Sequence, residues 1–482
     1  MLRTILLLLL LPLAAAGAAE PSLTIYNQNF AVVRGTVPLE LKPGVNQIHF
    51  SGLTAQADAS SVVLRDPKGA ATFQILEQNY RSNAISQALM LAQFEGQTID
   101  FLVHQPSQPD TTVAGKIIRS GTRSNAQPLI EVNGKLRFEL PGVPLFPKLA
   151  DNSILKPELM WKIASEQPAK FDAEITYLTE GLNWSADYNV ILPTNGDELQ
   201  ITCMVTIDNF SGKGFENART KLVAGNVNKL APKATPVPMA MDTAERTVVT
   251  GSEIVMPQKA FEDLHLYTLP RPVTLRDRES EQIELLRAAG VPSQRLYVFD
   301  ATGYDEAPPW SQPTPMLDEN WGVQGETRVG VLREIKNSEA NHLGMPLPNG
   351  RWRFYRRDAD GQLEFLGEHE EQHAAKDETL RIFTGAAFDL SAKRRQTGFT
   401  VDRAQSTITE SFEVKLRNHK TEPVTIQVVE HLNRWQSWEI VEHNLDFTKR
   451  DAHAIEFVVP LKPDEEKTVS YQARYTQLPP QR

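Results

Sequence analysis

The stretch LQITCMVTIDN, Leu199 to Asn209, decides the fold class. Its apolar residues Leu199, Ile201, Cys203, Val205 and Ile207 alternate with Gln200, Thr202, Thr206 and Asp208, so a strand here buries one face and wets the other. Cys203 falls on the apolar face. A reactive thiol wants an electropositive, accessible neighbourhood, so Cys203 reads as a buried, inert one. As the one cysteine of the chain it has no partner for an intramolecular disulfide, and folding must rest on the cores alone.

The same period of two recurs at Phe171, Ala173, Ile175 and Tyr177, at Phe412, Val414 and Leu416, at Val424, Ile426 and Val428, and at Ile455, Phe457 and Val459. Turn signals separate the runs: NGD at Asn195, SGKG at Ser211, PNG at Pro348, DADG at Asp358 and NHKTEP at Asn418. Short strands spaced this regularly predict a mainly β chain of several antiparallel β-sandwich domains, Ig-like or related, with few short helices. Two stretches are helix candidates, SNAISQALMLAQFEG from Ser82 and SEQIELLRAAG ending at Gly290, each with an opening Ser and a closing Gly. The apolar spacing of the second fits a strand equally well.

At 482 residues the chain suggests two to four domains, on a prior of ~150 residues each. The clearest break is APKATPVPMAMDTAERTVVTGSEIVMPQKA, Ala231 to Ala260, rich in Pro, Thr and Ala and without sustained period. The expected division is a signal peptide at 1–19, an N-terminal mainly β domain at 20–125, a middle β-sandwich at 126–230, a flexible linker or excursion at 231–262 and a C-terminal β-sandwich region at 263–482. The signal peptide rests on Arg3, the apolar run Ile5 to Leu13 and the small residues up to Ala19, with cleavage expected just after Ala19. That run is far shorter than the ~20 residues a spanning helix needs, and no later run comes close. With no cysteine at the cleavage site for a lipid anchor, the expected protein is soluble and periplasmic or secreted.

A net charge of -10 repels nucleic acid and anionic lipid. The longest basic cluster, Lys393-Arg394-Arg395, reads as solvated strand or turn positions. Among chemical motifs, His369-Glu370-Glu371-Gln372-His373 spells the H-E-x-x-H of zinc proteases. That chemistry needs a helix, where residues four apart lie only ~6 Å from each other; in a strand the two imidazoles stand ~13 Å apart. The context is strand-like: Asp360-Gly361 makes a turn, and Leu363 and Phe365 alternate with Gln362 and Glu364. A third ligand is missing, because Lys376 and Thr379 occupy the positions where the extended motif has Gly and His, and the next glutamate after Glu378 is Glu410. A polar hairpin edge is therefore expected, and a zinc hydrolase using His369, His373 and Glu370 is the alternative.

Ser153-Ile154-Leu155-Lys156 matches S-x-x-K, but Pro157 follows at once and neither companion motif of that enzyme class occurs. There is no G-x-S-x-G, no Walker loop and no dinucleotide fingerprint, so no cofactor is expected. Aromatic residues offer the other candidates: Trp310 and Trp321 on a Pro-rich loop, and Trp435 and Trp438 in NRWQSWEI. Exposed Trp on a β-sandwich stacks sugars or seats a partner, whereas Trp on a sandwich strand is more often core.

Longer phrases carry a resemblance. YLTEGLNWSADYNVILP from Tyr177, VTIDNFSGKGFENARTKLVAGNVN from Val205, LPNGRWRFYRRDADGQLEFLGE from Leu347, VKLRNHKTEPVTIQVVEHL from Val414 and the N-terminal LTIYNQNFAVVRGTVPLELKPGVNQIHFSGL resemble, in order and spacing, a widespread bacterial family of unknown function related to the mucoidy-inhibitor-A-like proteins. The resemblance spans nearly the whole mature chain. It implies an exported, mainly β protein and carries no catalytic residue across. Mucoidy-inhibitor-like members place a coiled coil between their N- and C-terminal parts, and this chain has no heptad run there. The expected function is that of a non-enzymatic exported protein that binds an envelope protein or polysaccharide, with a carbohydrate-binding module using the four tryptophans as a further alternative.

Overall fold

Alternation in the sequence becomes burial in the structure. Leu199, Ile201, Cys203, Val205 and Ile207 are all completely buried on the Leu199–Asn209 strand. The same holds for Val414 and Leu416 on Thr407–Asn418, Ile426 and Val428 on Val424–His431, and Ile455, Phe457 and Val459 on Ala454–Leu461. Each such side chain contributes about 1.5–3 kcal/mol relative to an exposed one. The protein is mainly β. The computed structural model describes residues 20–81, 87–104, 109–121, 127–147, 157–229, 254–303, 314–323 and 328–479. The expected signal peptide, the Ser153–Lys156 motif and Trp310 lie outside the described residues.

Burial also governs Cys203. Loss of water pushes its thiol well above the ordinary range, and the Asp187 and Glu284 charges add to this against a hydrogen bond with Tyr188. A thiol reagent is therefore expected to leave the native protein unlabelled and to label Cys203 fully in denaturant; rapid labelling of the native state would contradict this placement.

The one α-helix among the described residues is Gln87–Gln93, inside the stretch that begins at Ser82. Met90, Leu91 and the following Phe94 seal one face of a five-stranded sheet by packing on Ile99, Phe101, Ile117 and Ile130. The second helix candidate is a strand, Glu279–Val291. Pairing decided what its spacing left open, since Ile254 and Val255 add to its edge opposite Arg287 and Leu286. Of the 231–262 stretch, the described part contains two strands, Ile254–Val255 and Gln258–Phe261, the latter paired with Leu264–Thr268.

The chain divides into two units that interleave in sequence: Met1–Asn183, Ile207–Leu222 and Leu269–Glu281 form the first, and Trp184–Thr206, Val223–Thr268 and Gln282–Arg482 the second. In the first, Phe30–Leu41 lies between Ser22–Tyr26 and Ala169–Glu180, antiparallel to both. Asn209, completely buried, fastens this unit's SGKG turn by donating to the Lys213, Leu275 and Arg276 carbonyls and accepting from Ser211. In the second, a six-stranded sheet ends on Leu363–Glu371, and a nine-stranded sheet carries the largest core.

Purely antiparallel pairing does not hold in the second unit. Leu182–Leu192 pairs in parallel with Gly350–Arg357, and Ser293–Asp300 pairs in parallel with Val424–His431. Parallel neighbours require long crossovers, here residues 193–349 and 301–423, which no local pattern announces. The turn at Asn418 follows the expected form: its buried amide donates to the Glu422 and Lys462 carbonyls and accepts from the Lys420 N–H.

Candidate functional site

The five residues that spell the zinc motif do not form a helix. His369, Glu370 and Glu371 belong to the Leu363–Glu371 strand, where His369 stands opposite Trp352, and His373 follows the strand's end. His373 Nδ1 accepts from the Asn349 N–H at 3.0 Å, and burial together with His265 holds this imidazole below its ordinary pKa. Burial pushes the Glu371 carboxyl up, with the Glu378 charge adding to it. Among the described residues no group of three or more His, Cys, Asp and Glu could hold a metal ion. Purified protein is expected to contain no stoichiometric zinc, and His373→Ala to leave its metal content unchanged; one zinc per chain, lost in that variant, would overturn this.

The tryptophans divide by environment. Trp161, Trp184 and Trp352 are core, whereas Trp321, Trp435 and Trp438 are half-buried, the last two against the rim of the large core. The Trp435 indole donates to the Gln477 carbonyl and that of Trp438 to Ala452, with the Lys449 ammonium 4.5 Å above the Trp438 ring. The structure brings Trp321 toward the NRWQSWEI segment through a residue that sequence reasoning passed over, Arg434. Its guanidinium lies 5.7 Å from the Trp321 ring and is 1% exposed.

Arg434 is fully occupied. Its Nε donates to Glu410, Nη1 to the Met316 and Asp318 carbonyls, and Nη2 to the Glu319 and Trp321 carbonyls. A guanidinium has five N–H donors, and all five are used. Glu410 takes its second hydrogen bond from the Tyr475 hydroxyl at 2.6 Å. A second set is built alike: the Arg394 Nε donates to both Glu430 oxygens at 3.1 and 3.0 Å, its Nη1 to the Gly322 carbonyl, and the Tyr471 hydroxyl to Glu430 at 2.7 Å. Burial works against the Arg394 charge, but Glu430 and Tyr471 hold its pKa above the ordinary value. Tyr471 and Tyr475 stay neutral, raised by burial and by the carboxylates they face. Two arginine clamps thus pin the backbone of residues 316–322 onto the sheet.

This corrects the expectation for Lys393-Arg394-Arg395. On the Thr379–Asp402 strand alternate side chains face opposite ways, so Lys393 and Arg395 are exposed while Arg394 points inward. Glu410, passed over as an absent metal ligand, is instead the counter-charge of Arg434. The one available signal was alternation itself, which places Glu410 in register with the core residues Phe412 and Val414.

Next to Arg394 and Glu430, His431 Nε2 lies 3.0 and 3.1 Å from the two Asp300 oxygens. Burial pushes the Asp300 carboxyl up, but hydrogen bonds from His431 and Thr302 outweigh it and hold the carboxyl below the usual range. A depressed folded-state pKa stabilises the protein above the unfolded value, and the contribution disappears as pH falls through the folded one. Asp300→Asn is therefore expected to flatten the loss of unfolding free energy below pH of about 4, read from urea midpoints against pH; an unchanged acid limb would count against the pairing.

Open surfaces among the described residues include a cleft and an exposed strand. In the first unit a cleft of about 1030 Å³ is lined by Arg34, Asp66, Lys68, Lys170, Asp172 and Glu174 among others. In the second, Leu363, Phe365 and Leu366 are exposed on the strand that ends the six-stranded sheet, and Phe388 on Thr379–Asp402 is 99% exposed. The Leu366 carbonyl lies 3.7 Å from the Cβ position of Gly385 on the strand that carries Phe388.

No helix among the described residues is long and apolar enough to cross a membrane. Comparison with curated proteins gives no match. Comparison with protein families matches residues 173–477, which hold both arginine clamps, the HEEQH strand, Phe365 and Phe388, to a domain of unknown function, DUF4139. The chain belongs to the DUF4139 family.

Proposed function

We propose that the protein is exported, non-catalytic and binds a protein or polysaccharide of the cell envelope. The observation that carries this reading is the group Leu363, Phe365, Leu366 and Phe388, apolar side chains that regular strands present to solvent. Phe365 pairs with Tyr355 at 5.6 Å between ring centroids, but a large apolar residue held outward on a strand gains little burial in the free protein, and aromatic residues of this kind supply the anchors of protein interfaces. The buried charges support the same reading: a guanidinium whose five donors are spent on its own chain has none left to hold a substrate. Export rests on Arg3, the apolar run to Leu13 and the small residues up to Ala19. Kinship with the mucoidy-inhibitor-A-like proteins, without their coiled coil, rests on the phrases from Tyr177, Val205, Leu347 and Val414.

The test is retention of an envelope component by the immobilised protein, compared with Phe365→Ser/Phe388→Ser. Loss of one defined protein or glycan in the variant is expected. Hydrolysis of peptides or glycans with turnover that disappears on replacing a single acidic residue would overturn the reading. Polysaccharide as the ligand is favoured by the first unit's cleft, whose charged and hydroxyl groups include Arg34, Thr36 and Asp172; glycan binding that Asp172→Ala leaves unchanged would remove that support.

A further inference from the structure

We infer that Arg295, Arg333 and Arg356 form a site for an oxyanion, a carboxylate or phosphate group brought from outside the chain. The site uses none of the residues of the apolar group and goes beyond the binding role proposed above.

Three strands of the second unit deliver the guanidiniums. Arg295 on Ser293–Asp300 stands directly opposite Arg333 on Arg328–Lys336 in an antiparallel pair. Both side chains therefore leave the same face, with Cβ atoms about 5 Å apart, and like charges so placed repel. Arg356, near the end of Gly350–Arg357, reaches the same point from the six-stranded sheet. Asp197 of the NGD turn sits among them: its Oδ1 accepts from the Arg333 Nη1 at 2.5 Å and lies 4.0 Å from the Arg356 Nη2. The Ser293 hydroxyl fastens this turn by donating to the Asp197 carbonyl at 2.5 Å. Two further acids stand farther off. Glu422 is 3.9 Å from Arg295, and Glu364 faces Arg356 in register; both are exposed, and among the described residues neither hydrogen-bonds any of the three guanidiniums.

Donor accounting separates this cluster from the two clamps. Arg434 spends all five N–H groups on its own chain. The Arg333 side chain is 4% exposed, yet among the described residues its hydrogen bonds leave from Nη1 alone, to Asp197 and, at 3.5 Å, to Ser293. Its Nε and Nη2 donors are unused. Arg356 likewise spends only Nη1, on the Pro193 and Thr194 carbonyls, and Arg295, 5.6 Å from the Tyr297 ring centroid, makes no hydrogen bond among the described residues. A buried donor without an acceptor costs about 1–3 kcal/mol, more on a charged group. Burial works against the Arg333 charge, Asp197 supports it, and Arg295 and Arg356 oppose it, which leaves its pKa below the ordinary value. A carboxylate or phosphate supplies both the missing acceptors and the missing negative charge, since it takes parallel hydrogen bonds from a guanidinium. The Asp197 side chain is 42% exposed, so the cluster meets solvent beside the NGD turn.

The probes are inorganic phosphate and trigalacturonate, titrated into the full protein by calorimetry at constant ionic strength, with chloride as the reference anion and maltotriose as the uncharged sugar. Saturable binding of one anion per chain is expected, tighter for phosphate if a free ion is the ligand and tighter for trigalacturonate if an acidic sugar carries the group. Arg333→Lys keeps the charge and the reach to Asp197 but lacks the unused donors, and is expected to weaken binding about tenfold or more. Arg295→Gln, at a half-exposed position, is expected to do the same and keeps the test open if the lysine variant does not fold. Asp197→Asn removes the resident negative charge, so binding is expected to tighten. No binding to the native protein, equal binding of maltotriose, or binding indifferent to both arginine substitutions overturns the site. Binding seen only in Asp197→Asn also overturns it, because Asp197 then fills the cluster by itself. Phe365→Ser/Phe388→Ser is expected to bind the anion as the native protein does, so this site and the binding role proposed above fail separately.

Discussion

Arg434→Met is expected to lower the unfolding free energy by about 3–5 kcal/mol, because it leaves the Glu410 carboxylate buried without its counter-charge. Glu410 is 4% exposed, and its one remaining partner is the Tyr475 hydroxyl. The variant also releases the Met316, Asp318, Glu319 and Trp321 carbonyls, so hydrogen exchange over 316–321 is expected to rise well beyond the global loss. Urea unfolding measures the first effect and amide exchange the second. The triple variant Arg434→Met/Glu410→Leu/Tyr475→Phe separates charge from packing: removing every member of the set leaves no orphan ion, and part of the loss returns. A loss under about 1 kcal/mol for Arg434→Met would mean that water reaches Glu410 and that the clamp is not buried in solution.

Trp352→Ala carries the other large effect, about 3–5 kcal/mol. Trp352 is 1% exposed and stacks on Tyr188 with ring centroids 4.2 Å apart and planes 8° from parallel. The two residues face each other across the parallel pairing, and the Tyr188 hydroxyl donates to the Pro348 carbonyl at 2.8 Å. Truncation thus opens a cavity where two distant parts of the chain are joined, and removes a stacked pair worth about 0.5–1.5 kcal/mol beyond its area. Trp438→Ala is the comparison: its ring is half-exposed and covered by Lys449, so the expected cost is smaller. Equal midpoints for the two variants in urea would contradict the division of the tryptophans into core and rim.

The motif that matched zinc chemistry and the residues that form the buried charge network were legible to different degrees. His369 on a strand followed from local evidence, the DADG turn and the alternation after it. The two clamps did not, since Arg394 sits in a basic triplet and Arg434 in the polar stretch Asn433-Arg434-Trp435-Gln436, each typical of solvated positions. What removes them from water is the meeting of 316–322, Thr407–Asn418 and Glu466–Tyr475, segments far apart in the chain. A similar limit applied to the tryptophans: sequence could nominate Trp321, Trp435 and Trp438, but only packing shows their indoles engaged with the chain's own carbonyls or with Arg434.

The sequence by itself determined the mainly β class, the strands around Cys203, Val414, Ile426 and Phe457, the side of each strand that is buried, and the extended form of His369 to Glu371. All of these follow from a two-residue period set by the neighbouring backbone alone. Tertiary structure decided the rest: that Leu182–Leu192 and Gly350–Arg357 run parallel, that Glu279–Val291 is a strand, that the two units interleave, and that Arg394, Glu410, Glu430 and Arg434 are paired inside. Strand partners and buried ion pairs depend on which remote segments meet. The free energy of that meeting is a property of the whole packed core, which no window of sequence contains.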